Sequence, residues 1–188
     1  MPTTYTQADG EVLDRLADVM ERHHPTLHEA GVRVGVLMAA SDTGHAVTHG
    51  GYPALATIKV ISLKDRVLKG RDAELVIDLR AYDELTAAQQ DALLDHELSH
   101  IALKKHWYVS VKDADGEPTG ETELHFDTDD LNRPKLAGVK GDWSAGDGFE
   151  SVCRRHGAAA IEFHNLKLCH ARARRAADEG ERAIDPRG

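Results

Sequence analysis

The sequence predicts an α+β fold on three observations: helically spaced apolar residues near the start, short β-branched runs in the first half, and a long capped helix followed by a hairpin pattern and further helical segments. A chain of 188 residues falls within the usual size of one domain, about 100–200 residues. We expect a single domain over residues 1–178 and a frayed tail over 179–188. Residues 11–23 repeat Val12, Leu13, Leu16, Ala17 and Met20 at helical spacing until Pro25 stops them, which predicts an amphipathic helix. Residues 32–40 are short, β-branched and bounded by Gly31 and Ser41-Asp42, as in a buried strand. Residues 41–53, rich in glycine, predict a loop or ragged hairpin, and 57–61 a second strand. Residues 63–68 predict a short helix ended by Gly70, and 74–80 a third strand.

Thr86 and Gln89 form a capping box, and the run 87–105 has neither Gly nor Pro and ends in lysines, so one long helix is expected there. Segments 107–111 and 121–126 flank Asp113-Ala114-Asp115-Gly116, whose Asp-Gly step predicts a hairpin. A polar loop is expected over 127–148. Helices are expected over 149–155 and 158–177, separated by Gly157.

Composition removes several function classes. The 32 acidic against 23 basic side chains give a net charge of −9, which repels a phosphate backbone and argues against nucleic-acid or anionic-membrane binding. Arg172, Arg174 and Arg175 make a small basic face that reads as a solvated helix surface. Two cysteines are too few for a disulfide-stapled scaffold, and no leader or membrane-length apolar run is visible, so a cytoplasmic location is expected.

Twelve histidines turn attention to metal chemistry. His96-Glu97-Leu98-Ser99-His100 is an HExxH sequence within the expected long helix. Residues four apart share a helix face about 5–6 Å apart, so both imidazoles can reach one cation, and Glu97 stands where it can take a proton from a metal-bound water. Chance alone would place HExxH in a chain of this composition about 1 time in 20. The capped helix and its apolar flanks, Leu93, Leu94, Leu98, Ile101 and Leu103, raise the odds, because imidazoles buried there need partners. Zn2+ suits two imidazoles with an open coordination position.

A catalytic zinc needs a third protein ligand. His106, His125, Glu150 and Asp142 are candidates, and spacing does not rank them. A helix continuing to His106 would turn that ring about 80° away from His96. Tyr108, His106 and His125 are unranked as oxyanion donors. Cys153, His156, His164, Cys169 and His170 could hold a second metal, although their spacings match no zinc-finger pattern.

With Arg133-Pro134-Lys135-Leu136, Asp142-Trp143, Gly148-Phe149 and Arg155-His156-Gly157 added to HExxH, the chain from about residue 11 to 157 resembles the phage metallopeptidases, similar to SprT-type zincins. The resemblance implies a zincin-like domain, a small mixed sheet on the HExxH helix. It implies Asp142 as the third ligand, with His125 second, since this chain has Gly141-Asp142 where many members have His-Asp. It also implies a strand near the helix, here 74–80, that offers its edge to an extended substrate. The function expected is a Zn2+-dependent metallopeptidase cutting protein or peptide substrates in an infected bacterium, with His96, His100 and Asp142 as ligands and Glu97 as general base. The alternative is a non-catalytic, zinc-stabilised interaction protein.

Overall fold

The computed structural model describes residues 3–142 and 148–163. Its largest sheet has four strands in the order β1 (Thr4–Gln7), β2 (Val34–Ala40), β6 (Ala73–Asp78), β5 (Ala56–Val60). β2 and β6 run parallel, while β1 and β5 are antiparallel to their neighbours. Between β1 and β2 the chain forms α1 (Gly10–His23) and α2 (Pro25–Glu29). Asp9 caps α1 by accepting from the Val12 N–H, and the helix buries the stripe Val12, Leu16, Val19 and Met20. A small hairpin, β3 (Thr48–His49) and β4 (Tyr52–Pro53), precedes β5. α3 (Leu63–Lys69) follows β5 and ends at Gly70, whose φ of 61° suits glycine at a left-handed helix terminus.

β6 stops at Asp78, two residues short of the strand expected over 74–80. The Asp78 carboxylate accepts from the Ala81 N–H and so caps α4 (Leu79–Asp83), while also accepting from the Ala46 N–H. β6 lies between β2 and β5 in the sheet, so it has no edge to offer; the edge strands are β1 and β5. β1 was not anticipated, because its four exposed, mostly polar residues carry no apolar pattern.

α5 (Ala87–Ser99) begins with the expected capping box at Thr86 and Gln89. It ends six residues before Lys105, with His100 as its C-cap. The next three residues form β7 (Ile101–Leu103), which pairs with β10 (Leu136–Gly138), a strand inside the stretch expected to be polar loop. Pairing with β10 outweighs the helix propensity of this stretch, a tertiary override of local preference. Arg66, 6% exposed, holds the turn before β10 through Asp129 Oδ2 (2.7 Å) and the Pro134 carbonyl (2.9 Å). Arg133 meanwhile pairs with buried Asp72.

β8 (His106–Lys112) and β9 (Pro118–Phe126) form the expected hairpin, which stands as a separate two-stranded sheet. α6 (Glu150–His156) and a 3-10 turn (Gly157–Ala159) close the described chain. The core joins Val12, Leu16 and Val19 of α1 to Leu75 and Ile77 of β6 and to Leu93, Leu94 and Leu98 of α5. Each fully buried leucine contributes about 1.5–3 kcal/mol. These contacts fix the last turn of α5. Among the described residues, no helix is long and apolar enough to cross a membrane.

Candidate metal centre

His96 lies in the last turn of α5 and His100 is its C-cap. Leu94 and Leu98, both fully buried, turn their face of the helix into the core and leave the histidine face at its margin. The ladder between β7 and β10 continues one step further: the Val139 N–H donates to the His100 carbonyl (2.8 Å), and the Val139 carbonyl accepts from His100 Nδ1 (3.0 Å). His96 Nδ1 donates to Glu162 Oε1 at 3.0 Å. The Nε2 atoms of the two rings stand 3.3 Å apart.

A neutral imidazole has a single N–H. In each ring Nδ1 needs it for its oxygen acceptor, which turns both Nε2 lone pairs toward one another. Such an approach is unfavourable unless a cation stands between them, either a proton shared by the two nitrogens or a metal ion. Two metal–nitrogen bonds of about 2.0–2.1 Å at a tetrahedral angle separate the nitrogens by about 3.3–3.4 Å, so the pair fits zinc without rearrangement. The Phe149 ring packs edge-on against both imidazoles, with centroids 5.6 Å from His96 and 4.8 Å from His100, and forms an apolar wall.

Glu97 is 5% exposed and projects toward edge strand β5, where the Ile58 backbone N–H donates to its carboxylate. Burial pushes this carboxyl up to about 7, with His96 and the Ile58 N–H only partly opposing the shift. Burial lowers the His96 imidazole, but the Glu162 hydrogen bond and the charges of Glu97, Glu162 and Asp95 outweigh it, for a net rise.

The other candidates are not gathered here. Asp142 is exposed, and its Oδ1 accepts from the Glu150 N–H at the start of α6 (2.8 Å). Glu150 pairs with Arg154. His106 begins β8 beside the Tyr108 ring instead of extending a helix, and His125 stacks on Trp107 with centroids 6.0 Å apart. Cys153 is buried in α6. Trp143, His164, Cys169, His170, the three C-terminal arginines and the tail lie outside the described residues. Glu162, Val139 and Phe149 were missed as site residues. Glu162 sat unmarked in an expected helix, Val139 acts through its backbone, and Phe149 figured only in a motif.

The family model described as Putative phage metallopeptidase matches residues 3–169. The chain belongs to that family. No curated protein and no solved structure matches it. The phage metallopeptidase family description names a metal-dependent peptidase, and so points to a metal ion and to protein or peptide substrates.

This family member carries a second cluster of metal-binding residue types. Among the described residues, the one set of three His, Cys, Asp or Glu side chains with ligand atoms all within 4.8 Å of one another is His23, Asp95 and His156. Asp95 is fully buried and already accepts from His24 Nε2 (2.8 Å), Arg155 Nε and Nη2 (2.7 Å each) and His156 Nε2 (2.8 Å). Burial alone would raise its carboxyl, yet the His24 and Arg155 hydrogen bonds hold it far below the usual carboxylate range. A dication here would have to displace the Arg155 guanidinium and break the His156 bond. The cluster is better described as an ion-pair hub joining α1, α5 and α6 immediately before His96.

Proposed function

We propose that the protein is a zinc-dependent metallopeptidase in which His96 and His100 are two ligands, Asp142 is the third and Glu97 is the general base. The carrying observation is the 3.3 Å approach of two Nε2 atoms whose Nδ1 partners are both oxygen acceptors. Two imidazoles and a carboxylate, without thiolates, make a catalytic rather than a structural donor set. When bound, the ion supplies Lewis acidity toward a peptide carbonyl and acidifies a coordinated water.

Glu97 takes the proton of the attacking water and returns it to the departing amine. Burial pushes this carboxyl up in the metal-free chain, and a cation held by the adjacent histidines would favour the carboxylate form that a general base needs. Phe149 limits water around the imidazoles. The outer edge of β5, beside Glu97, is where an extended substrate would add as a further strand. Asp142 follows the segment whose Val139 carbonyl orients His100; to serve as the third ligand its carboxylate would have to move from its place at the Glu150 N–H toward the two imidazoles. The family's phage association and the two cysteines support action in the cytoplasm of an infected bacterium.

Elemental analysis and an assay on an unfolded protein test this reading. We expect one zinc per chain, lost in His96→Ala and in His100→Ala and held more weakly in Asp142→Ala, with hydrolysis stopped by a chelator. Zinc content unchanged in the His96→Ala/His100→Ala double variant would overturn the ligand assignment. Zinc bound without any hydrolysis would favour a structural metal protein.

A further inference from the structure

We infer that Glu162 is a positioning residue: through His96 Nδ1 it holds that ring with Nε2 turned to the metal and strengthens it as a ligand, an inference that rests on the metallopeptidase reading above. Glu162 is 5% exposed and follows the buried residues Ala160 and Ile161. A carboxylate in apolar surroundings is costly unless its charge is used. Here Oε1 accepts from His96 Nδ1 at 3.0 Å and from the Phe149 N–H at 2.9 Å, while Oε2 is buried with no hydrogen-bond partner.

A carboxylate placed only to stabilise the fold would have both oxygens satisfied. Beside its own backbone N–H and the Cys153 thiol, this one takes its two well-formed hydrogen bonds from the ligand ring and from the residue whose ring packs on both imidazoles. His96 donates to a charged carboxylate, which makes its ring a more electron-rich ligand than a neutral acceptor would. The same carboxylate fixes the backbone of Phe149, so a single side chain sets the tautomer of His96 and the wall beside it.

The test measures zinc affinity of the full chain by chelator competition in wild type, Glu162→Ala and Glu162→Gln, with the visible spectrum of the Co2+-loaded forms and urea unfolding of the metal-free forms run alongside. Glu162→Ala is expected to bind zinc about 10–100-fold more weakly and to change the Co2+ bands. Glu162→Gln, whose amide oxygen can still accept from both N–H groups, is expected to lose roughly 3–10-fold. Affinity within twofold of wild type in a folded Glu162→Ala, with an unchanged Co2+ spectrum, would overturn the inference even if stability fell, since that is what a purely structural role produces. If Glu162→Ala does not fold, Glu162→Gln decides by the same criterion. A wild-type chain that binds no zinc would instead overturn the metallopeptidase reading on which this one stands.

Discussion

Glu97→Gln is expected to lower kcat on an unfolded protein by about 10²–10⁴-fold while the bound zinc stays, because the amide keeps the shape of the side chain but cannot take up a proton. A second effect needs no substrate. In the metal-free protein Glu97 is buried and its carboxyl sits at about 7, above its ordinary 4.5. Between those values the folded chain binds more protons than the unfolded one, so this group makes stability fall as pH rises from about 4.5 through about 7. The loss amounts to roughly 3 kcal/mol at about 1.4 kcal/mol per pH unit. Glu97→Gln removes that slope and leaves the metal-free variant more stable than wild type at pH 8. Urea melts of both proteins at pH 5 and pH 8 read the difference, and parallel losses of stability would contradict the environment described for Glu97.

Asp95→Ala is expected to produce the largest loss of stability of any single substitution near the site. Arg155, His24 and His156 all donate to this one fully buried carboxylate. Removing it strands a guanidinium and two imidazoles at the junction of α1, α5 and α6, and breaking a buried charge pair from one side costs about 3–5 kcal/mol. Zinc affinity should fall with it, because Phe149, the N-cap of α6, packs beside both ligand rings. A loss below about 1 kcal/mol in urea unfolding would show that the hub is far less coupled than its geometry implies.

Local chemistry made much of the frame legible in the sequence. The Thr86 and Gln89 box started α5 as expected, Gly70 ended α3, and Asp113 to Gly116 turned the hairpin between β8 and β9. What escaped depends on partners distant in the chain. The run after His100 has no helix breaker, and only pairing of residues 101–103 with 136–138 makes it a strand. Residues 74–80 alternate like a strand with either an edge or an interior place, and the neighbours β2 and β5 put it inside the sheet. At the site, the spacing of His96 and His100 is written in the helix itself. The acceptors that orient them are not: one is the backbone of Val139 and the other is Glu162, 66 residues from His96.

Anomalous diffraction at the zinc edge from zinc-soaked crystals tests the central claim most directly. The account predicts one strong peak about 2.0–2.1 Å from both His96 Nε2 and His100 Nε2. A peak beside His23, Asp95 and His156 with none between the first pair, or no peak at saturating zinc, would contradict it.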